Sequence, residues 1–482
     1  MSARATPTGR RLPPIPTIDG VWALIAVLLP VAGAFASRMM AIDLAYQIRA
    51  GGVMLDSHRL LDTDTFTYTV RGEAWLNQQW GAEVLLAAMY RAGDWAGVAI
   101  ARGLLLGAVV FLLYRACRSA GAAPRTAALL TLAGWLVGIE ILPAMRPQLF
   151  GFVLFAATLW AVTTRRASPR RVWLVPLLVL PWASLHGSFP LALVLLGIAW
   201  LEDRRSDRVA ARRLLVVAAA TALATLANPF GLRVWSYVAE LSTHPVVSRR
   251  ISEWGPPSVH TPTGLLFFAS LFAVVILLAR SPRPVGWVPL LTLGVFAILG
   301  LLAIRGVVWW ALVAPVVVAG IVRDEDRTRS RFRPPLHAVI VGALAVLVIV
   351  TLPIGRGTDP DTGGPAVLTY APENLVAAAR GAAPPGTHLF VSQLYASWSE
   401  FSAPAFPVEV DPRIELFPEN VWDDYYLVSG GREGWDTVLD RWGVTVLLLE
   451  PEQASGLLEV LPSHPEWRRV EQDGAGSVYV RS

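Results

Sequence analysis

Asp43, Tyr46 and Arg49 stand at i, i+3 and i+6 directly after the first long apolar run, so a helix through them ranges a carboxylate, a phenol and a guanidinium along one side. Asp43 falls three residues past that run, at the level of a membrane surface, where partial desolvation suits a carboxylate to act as a general base. Asp62-Thr63-Asp64 is a second acidic pattern. In an extended strand its two carboxylates share one face, a donor pair for a divalent cation or for sugar hydroxyls, whereas in a turn the same residues are structural. Arg146, next to Pro147, and Arg305 each carry a planar fork able to clamp a phosphate, or to reach lipid headgroups from the interface. His186, in the turn His186-Gly187-Ser188, could bind a hydroxyl, a phosphate or a metal. Glu253 could be a second acid or metal ligand, and Trp254 beside it an interfacial anchor.

The elements that must position these residues are apolar helices. Of 482 residues, 54% are hydrophobic and 16% charged, against about 25% charged in soluble proteins. Apolar runs near the ~20 residues that cross a bilayer recur along the chain. They exclude a soluble enzyme, a secreted disulfide scaffold and a disordered chain. We expect a polytopic α-helical membrane protein of about eleven membrane segments, at 21–40, 95–114, 124–141, 147–163, 172–185, 189–201, 213–229, 263–279, 286–303, 307–322 and 336–354. The region 172–201, interrupted by Pro176 and Pro181, reads as two short spans or a re-entrant hairpin.

All 41 basic residues are arginine, a composition typical of a high-GC bacterial genome. Residues 1–354 hold 33 arginines against 17 acids, and residues 355–482 hold 8 against 19. The excess lies in the short segments 1–20, 115–125, 164–171, 202–213, 280–285 and 323–333, which contain 22 arginines. By the positive-inside rule these face the cytoplasm, so the basic balance is a topology signal and implies no nucleic-acid partner. The expected organisation is a cytoplasmic tail 1–20, a transmembrane domain 21–354 with outer loops 41–94 and 230–262, and an extracytoplasmic α/β domain 355–482, in a bacterial inner membrane. Cys117, the single cysteine, has no disulfide partner.

In the C-terminal domain, Glu373–Arg380 and Trp435–Trp442 read as helices, and His388–Ser392, Pro407–Asp411, Val444–Glu450 and Ser477–Arg481 as strands. Trp422-Asp423-Asp424-Tyr425 reads as an aromatic surface patch. Gly-rich phosphate loops, a GxSxG elbow and HExxH are all missing from the sequence.

This arrangement resembles the GT-C glycosyltransferase superfold: a first span, an outer loop opening on an acid, many further spans and an outer C-terminal domain. Asp43-x-x-Tyr46-x-x-Arg49 is similar to the opening of the first outer loop in the catalytic subunit of oligosaccharyltransferase. Asp62-Thr-Asp64-Thr-Phe-Thr-Tyr68, Leu185-His186-Gly187, Asn228-Pro-Phe-Gly231, Glu253-Trp254 and Asp411-Pro-Arg413 resemble motifs of a widespread group of bacterial GT-C-like membrane proteins. Trp422-Asp-Asp-Tyr425 is faintly similar to the acceptor motif of oligosaccharyltransferase, which would make Trp422 and Asp424 acceptor-binding residues, but it departs from that motif at Asp423 and lacks the following glycine.

The resemblance implies a glycosyltransferase. Its donor is a polyprenyl-phosphate-linked sugar, and its acceptor an extracytoplasmic glycan, lipid or protein. It places Asp43 at the family's catalytic or metal-binding acid, with an optional divalent cation (Mg2+ or Mn2+). Arg305, Arg146, His186, Tyr46 and Arg49 are then candidates for donor phosphate, and Asp62, Asp64 and Glu253 for metal or sugar. A non-catalytic lipid-linked glycan transporter, or a GT-C-like scaffold, is the alternative. A transporter would need charge at mid-membrane depth, for which Arg102 and Glu140 are the candidates.

Overall fold

A computed structural model describes residues 17–243, 245–282, 284–322 and 334–482. Arg4, Arg10, Arg11, Arg283 and the arginines of 323–333 lie outside the described residues. Each expected apolar segment forms a helix. In chain order these are α1 (Ile18–Ala36), α2 (Ala41–Ser57), α3 (Trp80–Ala120), α4 (Pro124–Val137), α5 (Pro147–Thr163), α6 (Leu174–Leu185) and α7 (Leu191–Asp203). They continue with α8 (Arg208–Ala224), α9 (Arg233–Thr243), α10 (Pro245–Arg250), α11 (Pro262–Ala279), α12 (Trp287–Leu302), α13 (Ile304–Val322) and α14 (Pro334–Thr351). By length and composition α1, α3, α11 and α13 are able to cross a membrane unaided. The region 172–201 becomes two separate helices, α6 and α7, joined by a turn at 186–190.

Two of these helices differ from the sequence expectation for local reasons. The 41-residue α3 starts inside the expected loop 41–94 and breaks at Gly93–Asp94. Asp94 takes φ 54°, and its carboxylate accepts the Trp95 amide at 2.8 Å, capping the second half. Arg102 is buried, but its guanidinium donates to the carbonyls of Ala34, Ser37 and Arg38, closing the C-terminal end of α1. It is a helix cap and lies on no charged path through the helices.

The loops carrying the arginine excess come together. Arg165 and Arg166 both pair with Glu202 and Asp203, and Ser119, Arg171, Ser281 and Gly286 line one cavity with them. The loops bearing Asp43, Arg146, His186, Glu253 and Arg305 meet elsewhere, against the C-terminal portion.

That portion holds β2 (Leu368–Thr369), the helices α15 (Glu373–Ala382), α16 (Gln393–Ser402), α17 (Glu419–Ser429), α18 (Trp435–Trp442) and α19 (Ser455–Val460), and the strands β3 (His388–Val391), β4 (Val444–Leu449), β5 (Trp467–Gln472) and β6 (Ser477–Arg481). The sheet order is β3-β4-β6-β5, with β3 and β4 parallel and the other pairs antiparallel. Alternation in β4 sends Val446 and Leu448 into the core shared with α2 and α16, while Leu447 and Leu449 pack with Trp422 and Tyr425. Pro407–Asp411, expected as a strand, makes only a single bridge, Val408 to Thr67.

The first loop and the C-terminal portion are interlocked. β1 (Met39–Met40) pairs in parallel with β2. Gly51 lets α2 close on α3, because a Cβ there would collide with the Glu83 carbonyl. The Tyr46 amide donates to Ser397 Oγ of α16 at 2.8 Å.

Candidate active site

Each charged group of the site sits at the end of an element. Asp43 is in the first turn of α2, where a carboxylate meets the helix's partial positive charge. Arg146 precedes α5 in extended backbone, as a residue before proline must. Arg305 is in the first turn of α13. Glu253 lies in the one-turn helix Ser252–Trp254, and His186 ends α6.

Together they form an alternating chain of charge. Arg146 Nε is 2.7 Å from Asp43 Oδ2, and its Nη1 donates to Glu253 Oε1 and Oε2 at 3.0 and 3.2 Å. Arg305 Nε donates to Glu253 Oε2 at 2.9 Å, with its guanidinium 5.2 Å from the Trp254 ring. Burial pushes the Glu253 carboxyl up, but Arg146 and Arg305 outweigh it and hold the group below its ordinary value. Two cations and two anions therefore lie in a row.

The hydrogen bonds of His186 decide its tautomer. Trp182 Nε1 donates to Ser188 Oγ at 3.1 Å, leaving the serine hydroxyl to donate to His186 Nδ1 at 2.8 Å, and the Ser188 amide also donates to Nδ1 at 3.2 Å. Nδ1 is thus an acceptor and Nε2 carries the proton. Burial, then Arg305, push the imidazole down to about 3, so it is a neutral donor at physiological pH. Gly151 of α5 gives this turn its room, since a Cβ there would stand 3.2 Å from Nδ1.

Asp43, Tyr46, Arg146, His186 and Arg305 line one cavity of about 100 Å3. A second cavity of about 210 Å3, with Glu140, Gln148 and Thr263, lies against Arg146, Glu253 and Arg305. Glu140 accepts from the Thr263 hydroxyl there, at the same end of the helices as the site and off any transmembrane path.

Other expected site residues go elsewhere. Arg49 stacks 4.4 Å from the Phe66 ring and donates to the Pro404 carbonyl at 3.3 Å, apart from the cavity. Asp62 and Asp64 do not share a face. Asp62 is exposed, whereas Asp64 is buried, accepts from the Thr67 amide and hydroxyl, and pairs with Arg413 at 2.5 Å. Thr63 between them bridges Ala74 in antiparallel fashion, with the Asp64 amide donating to the Glu73 carbonyl and the Trp75 amide to the Asp62 carbonyl. Trp422 is no surface patch: it is wholly buried among Phe417 and Tyr425 because α17 turns its apolar side onto the sheet. Asp424 pairs with Arg441.

A divalent cation does not fit the donors present. Asp43 and Glu253 are already bound by guanidinium groups, the nearby imidazole faces Arg305, and among the described residues no three His, Cys, Asp or Glu side chains cluster as ligands. What the candidate residues omit is Arg413, Glu415 and Tyr237, which line the same cavity. The Tyr237 hydroxyl donates to Glu415 at 3.1 Å, joining α9 to the C-terminal portion. Arg413 belongs to the Asp411-Pro-Arg413 motif and is one of few cations in an acidic segment, the one sequence signal that pointed to it.

No protein-family model and no curated protein matches the sequence. Solved structures do resemble the fold. The oligosaccharyltransferase of Archaeoglobus fulgidus superposes with a TM-score of 0.53 at 12% identity over 96% of this chain and 74% of its own. Arabinofuranosyltransferase AftD from Mycobacteria gives 0.57 at 16% over 97% of this chain, which spans 40% of that longer protein. ArnT from Cupriavidus metallidurans gives 0.52 at 13% over 95% and 97% of the two chains. The fold is that of the GT-C membrane glycosyltransferases.

Proposed function

We propose that this chain is a glycosyltransferase that moves a sugar from a polyprenyl-phosphate-linked donor to a cell-envelope acceptor at the outer face of a bacterial inner membrane. The observation that carries the reading is the Asp43–Arg146–Glu253–Arg305 chain in a GT-C fold, with Asp43, Arg146 and Arg305 lining one cavity and Glu253 the second beside it. The acceptor hydroxyl gives its proton to Asp43 as its oxygen bonds to the anomeric carbon. The bond from that carbon to the phosphate oxygen breaks, and the electron pair leaves with polyprenyl phosphate. Arg305, Arg146 and the Nε2–H of His186 meet the developing charge. Phosphate that draws Arg146 toward itself frees the Asp43 carboxylate to accept from the acceptor hydroxyl, coupling donor binding to acceptor activation. The arginine-rich loops at the opposite end favour a cytoplasmic position there and an outer position for the site.

The test is release of polyprenyl phosphate by protein in lipid nanodiscs, supplied with a panel of polyprenyl-phosphate sugars and a crude envelope acceptor fraction. Asp43→Asn should cost at least ~100-fold in turnover, the scale of a lost general base, with the melting temperature nearly unchanged. Full activity in that folded variant would remove Asp43 from the chemistry.

A further inference from the structure

Three residues that line the cavity each carry a buried hydrogen-bonding atom with no partner. Arg413 is held on three of its five N–H groups: Nε donates to Asp411 at 2.8 Å, and Nη2 donates to Asp411 and to Asp64. Trp75, Phe66 and Tyr46 cover its guanidinium, with ring centres 4.6, 5.0 and 5.8 Å away. Its side chain is 1% exposed, yet Nη1 has no partner. Two other residues of the same cavity share this property, Trp254 through Nε1 and Gln47 through Oε1. Buried donors and acceptors left unpaired are costly and rare, and three of them belong to residues that line one cavity.

Building on the transferase reading above, we infer that Arg413 Nη1, Trp254 Nε1 and Gln47 Oε1 form the subsite that grips the donor's sugar. Two donors and one acceptor complement hydroxyl groups, each of which both gives and takes a hydrogen bond. Charge disfavours the phosphate at this position: Asp64 and Asp411 together outweigh Arg413, so the donor's phosphodiester anion would be repelled while a neutral hydroxyl is not. Phosphate belongs with Arg146 and Arg305, and the sugar with Arg413. The C-terminal portion thus selects the sugar directly and does more than position an acceptor.

The experiment compares binding of bare polyprenyl phosphate with that of polyprenyl-phosphate hexose, pentose, N-acetylhexosamine and uronic acid, read by tryptophan fluorescence in nanodiscs. The best sugar should tighten binding to wild type at least tenfold. Arg413→Lys should abolish that gain and Trp254→Phe should cut it severalfold, both leaving bare polyprenyl phosphate within threefold of wild type. Asp64→Asn, which leaves Nη1 in place, should keep the gain even as it lowers the melting temperature. The subsite is overturned if no sugar adds affinity to a wild type that binds polyprenyl phosphate, or if the gain survives both Arg413→Lys and Trp254→Phe. It is equally overturned if bare lipid and sugar-linked lipid weaken in parallel, or if Asp64→Asn loses the gain as Arg413→Lys does. A wild type that binds polyprenyl phosphate no better than polyprenol strikes the transferase reading itself, and this inference with it.

Discussion

Replacing Asp64 with asparagine should loosen the C-terminal portion from the first loop without touching the charged chain of the cavity. The two side chains of the Asp64–Arg413 pair are 0% and 1% exposed. Unit charges ~4 Å apart at an effective dielectric of about 20 attract by about 4 kcal/mol, and breaking a buried pair costs about 3–5 kcal/mol. Asparagine still offers an oxygen to the Thr67 amide and hydroxyl, and Arg413 keeps Asp411, so the net loss should be about 2–3 kcal/mol. For a cooperative unit the size of residues 355–482 this lowers the melting temperature by about 6–10 °C. Intrinsic tryptophan fluorescence during a thermal ramp in nanodiscs reads the change, and protease cleavage near 355–367 reports undocking. Asp62→Asn is the internal control, since this exposed residue should shift stability by under ~0.5 kcal/mol. Matching losses of stability and activity in both variants, with wild type stabilised by Mg2+, would refute the reasoning and restore a paired metal site.

Arg305→Ala should weaken polyprenyl phosphate binding by about 10- to 100-fold, the worth of one charge-assisted contact; a titration of the bare lipid phosphate checks this. His186 has a depressed folded value, so between about 3 and 6.5 the unfolded chain binds a proton that the folded chain does not. Stability should therefore fall as pH drops below 6.5, and melting curves of His186→Gln should lose that part of the slope. Trp422→Ala should cost about 3–5 kcal/mol of stability by opening a cavity in the C-terminal core. Asp424→Asn, which removes an ion pair to a largely exposed Arg441, should cost under ~1 kcal/mol, and equilibrium melting separates the two.

The eleven helices were legible in the sequence because apolar runs and their cost in water are local properties. Asp43, Arg146, His186 and Arg305 stood out because charged or polar groups at the ends of apolar runs are few, and most inter-span arginines lie in the loops of the opposite side. Their assembly into one chain of charge was not legible, since Arg146 and Glu253 lie 107 residues apart. Asp62 and Asp64 form a pair in sequence, yet one is exposed and the other is buried against a guanidinium 349 residues away. Trp422 carries no local mark that tells a surface patch from a core residue, and only the docking of α17 on the sheet buried it. Propensity and periodicity act over a few residues, so the sequence by itself determined which segments form helices and where charge is expensive. Which buried polar atoms end up unpaired on residues of one cavity, as with Arg413, Trp254 and Gln47, depends on packing between distant segments, and the tertiary structure alone decided it.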